Sequence, residues 1–140
     1  MRSTSESDKE LFLDIESDYS QLSFVRNSIE KWLAGHGALH GIDDILLVAH
    51  EIMANAVEHG TGEGNGRIQV HLRWQGAEAC IRVFDEGGLD ADGLAPVPAD
   101  ANAEAGRGLV LVDGLARAWG FTRHRSGRPY VWAALPCPAP

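Results

Sequence analysis

The segment from Asp43 to about His59 constrains the fold of this chain more than any other. It predicts a helix that starts at Asp43, with Ile42 and Leu47 placed as a hydrophobic staple, and that ends before a run of glycines. Most of its circumference is apolar: Ile45, Leu46, Val48, Ala49, Ile52, Met53, Ala56 and Val57. A helix of this composition is typical of the interior of a protein, so other elements must surround it.

A strand and a second amphipathic helix precede this segment. Leu11 to Ile15 alternates apolar and polar residues and predicts a strand. Asp18 and Gln21 then have the spacing of a capping box, and the helix that follows ends near Gly35. Five apolar residues fall on one face of that helix: Leu22, Val25, Ile29, Trp32 and Leu33.

Two β-hairpins, a long loop and a third helix are predicted for the rest of the chain. The first hairpin turns at Gln75 to Glu78 and ends at Asp85, and the second joins Trp119–His124 to Tyr130–Leu135. Between them, residues 86 to 106 read as a loop, and a helix begins at Gly106. The order predicts an α+β fold, a two-layer sandwich whose helices cover one face of a mixed, mostly antiparallel sheet.

Size and charge set the class of protein. The 140 residues predict a single domain over 1–140, with 1–10 and 136–140 as loose tails. The net charge of −8 argues against direct binding of nucleic acid, and no apolar run is long enough to span a membrane. The N-terminus resembles no signal peptide, so we expect a cytoplasmic protein. Cys80 lies in an apolar stretch and is expected to be a small core residue.

Glu51 and Asn55 are the polar interruptions of the central helix. They are four residues apart, so they project from one face, one turn from each other. A buried carboxylate and a buried amide each need a partner, which favours a binding site. The alternative is a polar stripe that also contains Asp44 and Glu58 and faces solvent. The helix alone does not separate the two interpretations.

Two further motifs carry chemistry. Asp85 ends an apolar strand just before Gly87, where it could accept a hydrogen bond from an exocyclic amine while the glycine lets a flat ring approach. The alternative is an ordinary Asp-Gly turn. The second motif, Gly106-Arg107-Gly108, opens a helix whose free N–H groups and positive dipole end suit phosphate. Its alternative is a pair of glycines at a helix start.

Taken in order, these motifs resemble the ATP site of the GHKL ATPases over nearly the whole chain. The segments EIMANAVEHG and GRGLVLVDGLA are most similar to the small anti-sigma-factor serine kinases of bacteria. The resemblance implies a Bergerat-type ATP-binding fold with ATP and Mg²⁺ as cofactors. One position departs from the family, whose strand-end motif often reads D-x-G-x-G, because Leu89 stands where a glycine is expected.

The resemblance also implies a role for each motif residue. Asn55 matches the residue that holds Mg²⁺ through its side-chain oxygen, and Glu51 matches the general base. Asp85 matches the aspartate that binds the adenine amine, and Gly87 matches the glycine beside the ring. The residues that match the phosphate cradle are Gly106, Arg107 and Gly108.

These roles lead to an expected function. The chain would bind a sigma factor and phosphorylate a serine on an anti-anti-sigma protein with a STAS-type domain. One alternative is a switch kinase of a stress-signalling scaffold, and another is a catalytically inactive module that senses ATP and docks partners. The resemblance further implies that a homodimer or a sigma factor could use the exposed face of the first helix and the sheet edge.

Overall fold

The computed structural model describes residues 3–6, 9–38, 40–59, 66–85, 110–123 and 129–138. Two long helices are α1 (Leu22–Gly35), which follows a 3-10 turn at Tyr19–Gln21, and α2 (Ile42–His59). Residues 110–115 are also helical and are called α3. The strands are β1 (Ser3–Glu6), β2 (Glu10–Glu16), β3 (Arg67–Gln75), β4 (Glu78–Asp85), β5 (Ala118–Arg123) and β6 (Pro129–Pro136).

The six strands form one open sheet in the order β1-β2-β3-β4-β6-β5. Each pairing between them is antiparallel, so the described part of the sheet contains none of the parallel pairing that a mixed sheet would have. Both predicted hairpins are confirmed: β3 and β4 pair around a turn at Gly76-Ala77, and β5 pairs with β6. The fold is α+β, as predicted.

One face of the sheet carries the core. Alternate strand residues on this face are fully or almost fully buried, and cross-strand pairs such as Leu13 with Val70 align them in rows. The predicted apolar face of α1 is confirmed, because all five of its residues are buried. Among the described elements, the helices pack on this face and not on the other. Helix α1 contacts β2, and α2 contacts β4 and β6. We call it the helix face and call the other side the open face.

The expectation that α2 is buried all round is wrong. Its core side is buried at Ile45, Val48, Ala49, Ile52 and Met53, whereas its outer side is exposed, and Leu47 keeps 41% of its surface in contact with solvent. The reason is geometric, because a two-layer sandwich covers a helix from the sheet side and from a neighbouring helix but leaves its outer side to water.

The start of α1 differs from a capping box. The carboxylate of Asp18 accepts a hydrogen bond of 2.9 Å from the N–H of Ser20, so it caps the 3-10 turn rather than α1. The reciprocal contact is missing, because the side-chain oxygen of Gln21 is buried without a partner in the described part of the chain. The 3-10 turn delays the start of α1 to Leu22, so Asp18 and Gln21 no longer have the positions relative to the helix start that a capping box requires.

Both predicted tails contain ordered structure. Residues 3–6 form the edge strand β1, which pairs with β2 from Ser3 opposite Asp14 to Glu6 opposite Leu11. A short polar strand with one neighbour lacks the apolar alternation that reveals a strand in sequence. At the other end, Pro136 closes β6 and Cys137 is buried. Cys80, by contrast, lies half-exposed on the open face, so the expectation that it is a core residue is wrong.

Cys137 fastens the end of the chain to the sheet and to α2. Its N–H donates to the carbonyl of Ala77 at 2.8 Å, and its own carbonyl accepts from the indole N–H of Trp74 at 2.7 Å. Its sulfur lies 3.6 Å from the carbonyl of His40, just before α2, and burial raises the pKa of the thiol. Gly41, which follows His40 in the sequence, packs directly against the carbonyl of Pro136.

Replacing this glycine should test the junction between α2 and β6. Gly41 has a φ of 85°, and a Cβ there would lie 2.6 Å from the carbonyl oxygen of Pro136. Gly41→Ala should lower the free energy of unfolding by about 2 kcal/mol, because it adds backbone strain and a contact that the neighbour cannot relieve. The matched control is Gly35→Ala in α1, where a Cβ meets nothing within 4 Å. Urea unfolding that gives both variants the same midpoint would contradict the role of Gly41.

Candidate functional site

The direction of α2 along the sheet places the candidate residues. Its start lies against Pro136 and Cys137, and Pro136 pairs with Glu78 at the beginning of β4. From there α2 runs about 26 Å, at about 1.5 Å per residue. The paired β4 covers about 23 Å, at about 3.3 Å per residue. Because α2 starts beside the first residues of β4 and contacts both β4 and β6, a helix aligned with these strands carries its second half toward Asp85.

Several chain segments meet at that end of the sheet, which we call the Asp85 end. Strand β2 finishes there, and the N–H of Ser17 bonds to the carbonyl of Gly66 at 3.0 Å. Strand β3 starts there, and its Ile68 pairs with Asp85 at the end of β4. The arrangement follows from the antiparallel order, which brings alternate strand ends to one edge of the sheet.

Glu51 and Asn55 are half-buried on α2, whereas Asp44 and Glu58 are exposed. Positions 44, 51 and 58 repeat every seven residues, so the two acids share one flank of the helix with the candidate pair, which is the less exposed part of that flank. The opposite flank of α2 is apolar, because Leu46, Met53 and Val57 belong to the core or pack against it. The polar flank, on which Glu51 and Asn55 are half-buried, therefore lies opposite an apolar one.

Asp85 occupies a defined place in the sheet. Its backbone pairs with Ile68, which pairs in turn with Ile15, and both isoleucines are fully buried on the helix face. Position 85 therefore continues the row of core positions at the end where α2 finishes. The side chain of Asp85 lies outside the described part of the structure, and so do the residues Gly87, Leu89, Gly106, Arg107 and Gly108.

Polar groups that the sequence did not mark also collect at the Asp85 end. Arg67 and Asp14 form a half-buried ion pair of 2.8 Å, and Arg67 also donates to the carbonyl of Asp14 at 3.3 Å. The hydroxyl of Ser17 is buried, and no hydrogen-bond partner is found for it within the described residues. Nothing in the local sequence could indicate this, because the burial of a serine next to a strand depends on distant packing.

The comparison with known families agrees with the fold described above. Residues 15–133 match the model of the histidine kinase-like ATPase domain. The chain belongs to this family. The matched range runs from the last residues of β2 into β6 and includes every candidate residue from Glu51 to Gly108. None of the curated proteins compared with the chain matches it.

Across the described segments, no helix has the length and apolar character needed to cross a bilayer.

Membership in the histidine kinase-like ATPase family implies binding of ATP, usually with Mg²⁺. The donor set of α2 fits this ion, because Asn55 offers an amide oxygen and Mg²⁺ prefers oxygen ligands. The described residues contain no group of three or more metal-ligating side chains. In a nucleotide site, one or two protein ligands suffice for Mg²⁺, and phosphates and water supply the rest.

Calorimetric titration with ATP, with and without Mg²⁺, should test the assignment of Asp85 and Asn55. Asp85→Asn should weaken ATP binding about tenfold to a hundredfold, because it removes a charged acceptor for the adenine amine. Asn55→Ala should remove most of the dependence on Mg²⁺. Asp44→Asn is the control on the same helix, since Asp44 is exposed. Undiminished binding by the Asp85 variant would show that adenine is held elsewhere.

Proposed function

We propose that this ATPase-family domain is an anti-sigma factor with serine kinase activity, which acts in the cytoplasm. It would bind a sigma factor and phosphorylate a serine on an anti-anti-sigma protein with a STAS-type domain. The observation that carries the proposal is the pairing of Glu51 with Asn55, half-buried on one flank of α2 as this helix approaches the Asp85 end. The likeness of EIMANAVEHG and GRGLVLVDGLA to bacterial anti-sigma kinases supports it.

The proposed reaction is phosphoryl transfer from ATP to a serine hydroxyl. A new bond forms between the serine oxygen and the γ-phosphorus, the bond from that phosphorus to the bridging oxygen breaks, and ADP leaves. Glu51 accepts the hydroxyl proton, and one helical turn separates it from Asn55. Mg²⁺ would be held by Asn55 and would neutralise charge on the phosphates. The protein's contribution is mainly to position the two reactants.

Glu51 distinguishes a kinase from a module that only senses ATP. A carboxylate placed to remove a proton suits a neutral hydroxyl as the acceptor of phosphate. If Glu51 has no such role, the chain is better described as an ATP-sensing module that docks partners. The two functions share the ATP site, so ATP binding by itself does not separate them.

Substitution of Glu51 tests the catalytic role. With Mg²⁺, labelled ATP and the STAS-domain proteins of the source cell, Glu51→Gln should slow phosphate transfer by about 10²–10⁴-fold, because it removes the proton acceptor. Binding of ATP should change little. Glu58→Gln, on an exposed position of the same helix, should retain full transfer. If Glu51→Gln transfers phosphate as fast as the unchanged protein, the base is another group; if the unchanged protein transfers none, the sensing module is favoured.

Capture from the native cell tests the sigma-factor part of the proposal. The tagged protein, loaded with ATP or ADP, should retain a sigma factor in at least one nucleotide state, and Asp85→Asn should reduce the yield because the nucleotide supports the complex. If STAS-type scaffold proteins are recovered without a sigma factor in either state, the chain is instead a switch kinase of a stress-signalling scaffold.

A further inference from the structure

Helix α3 is held on the sheet by few apolar contacts. Within its described range, residues 110–115, Val112 is the only fully buried residue, and Val110 keeps 65% of its surface exposed. Its two valines are β-branched and Gly114 has no side chain, so the intrinsic helix propensity of the segment is low. A helix of this kind depends on specific tertiary contacts to keep one orientation.

The link from α3 to β5 is short and is attached to the sheet. Only Ala116 and Arg117 separate the two elements. The N–H of Arg117 donates to the carbonyl of Ala134 at 2.8 Å, and its guanidinium donates twice to the carboxylate of Glu78. The end of α3 therefore has a set position beside β6 and the beginning of β4.

This link also sets the direction of α3. Strand β5 begins opposite Ala134, at the end of the sheet remote from Asp85, and runs toward the Asp85 end. Because α3 packs on the helix face through Val112 and Leu115, a link of two residues requires it to run back along the sheet. The start of α3 therefore lies toward the Asp85 end, and so does the positive end of its dipole.

A hydrogen bond between two side chains fastens α3 to β5. The indole N–H of Trp119 donates to the carboxylate of Asp113 at 2.8 Å. Trp119 lies on the helix face, because its cross-strand partner Ala133 is fully buried there. Its ring packs against the core and lies 6.3 Å from the ring of Phe121, edge to face. The sheet thus orients the indole, and the hydrogen bond passes that orientation to α3.

Asp113 occupies a position where a carboxylate weakens a helix. Since α3 ends at residue 115, the negative charge lies in the last turn, beside the negative end of the helix dipole. The hydrogen bond from Trp119 offsets this unfavourable charge. The aspartate is therefore explained by its contact with the indole and not by the stability of α3 alone.

We propose that Asp113 and Trp119 are a positioning pair for ATP, whose hydrogen bond holds α3 in the orientation in which the Gly106–Gly108 segment binds the phosphates. This role rests on the phosphate contacts predicted for that segment and does not depend on kinase activity. The segment ends two residues before Val110, so a swing of α3 about its attached end would displace it. Without the bond, α3 would populate other orientations, and the affinity for ATP would fall with the fraction of molecules that leave the binding orientation.

Calorimetric titration with ATP and Mg²⁺ tests the pair. Trp119→Phe removes the indole N–H and keeps an aromatic ring, and Asp113→Ala removes the acceptor. Each should raise the dissociation constant for ATP about three- to tenfold. The double variant should bind no more weakly than either single variant, because both changes remove the same bond. Asp113→Asn, which retains an acceptor oxygen, should restore most of the affinity.

Trp132→Phe is the matched control. The indole N–H of Trp132 also donates to a side chain, the hydroxyl of Thr122 at 3.0 Å, but Trp132 pairs with Arg82 on the open face, across the sheet from α3. This variant should bind ATP as tightly as the unchanged protein. Full ATP affinity in both Asp113→Ala and Trp119→Phe, or an equal loss in Trp132→Phe, would overturn the positioning role.

Hydrogen exchange without nucleotide separates the attachment of α3 from the ATP site. The N–H of Ala116 donates to the carbonyl of Val112 at 2.8 Å and closes the end of α3. This amide should exchange faster in Asp113→Ala than in the unchanged protein, because α3 opens more often. Faster exchange with full ATP affinity would mean that the bond fastens α3 without positioning phosphates, and the proposal fails. An unchanged protein that binds no ATP overturns the phosphate site and the pair together, whereas one that binds ATP but transfers no phosphate contradicts the kinase alone.

Discussion

The packing of α2 against β4 and β6 determines where everything else in this fold lies. Five buried side chains hold one side of α2 on the sheet, and the contact of Gly41 with the carbonyl of Pro136 sets its start at one end. Rotation of α2 would expose its apolar side to water, at a cost of about 1.5–3 kcal/mol for each large side chain. The direction in which Glu51 and Asn55 project from the helix is therefore set by core packing. Neither side chain needs a contact of its own to orient it.

This dependence explains why a site can be built on so small a domain. The polar pair lies on the flank of a helix whose core side is fixed by the sheet and by apolar contacts. Groups held on rigid elements keep their separation when a loop moves. The backbone of Asp85 is fixed in the same way, since it continues a row of paired strands.

Much of this architecture could be predicted from the sequence, because periodicity reports one-sided burial. The apolar face of α1 and the alternation of β3 and β4 each correspond to the residues that the structure buries. The errors arise where burial depends on distant partners. Strand β1 is polar and visible only through its pairing with β2, and Cys80 lies on the open face because a local apolar context does not determine which face of a sheet is covered.

In the candidate site, too, local spacing could be predicted from the sequence, whereas features that depend on distant partners could not. Helical spacing was enough to place Glu51 and Asn55 together, but only the structure shows that they are less exposed than Asp44 and Glu58 on the same flank. The ion pair of Arg67 with Asp14 joins residues 53 positions apart, and no local pattern marks it. The roles of Gly87 and of the Gly106–Gly108 segment stay predictions, because these residues lie outside the described structure.

The attachment of Cys137 has a practical consequence for anyone who handles this protein. Its carbonyl holds the indole of Trp74, its N–H holds Ala77, and the carbonyl before it abuts the start of α2. A truncation that removes these last residues would loosen the far end of the helix that carries Glu51. A purification tag or reporter fused close to Cys137 would disturb the start of α2, so a spacer after Pro138 should separate the two.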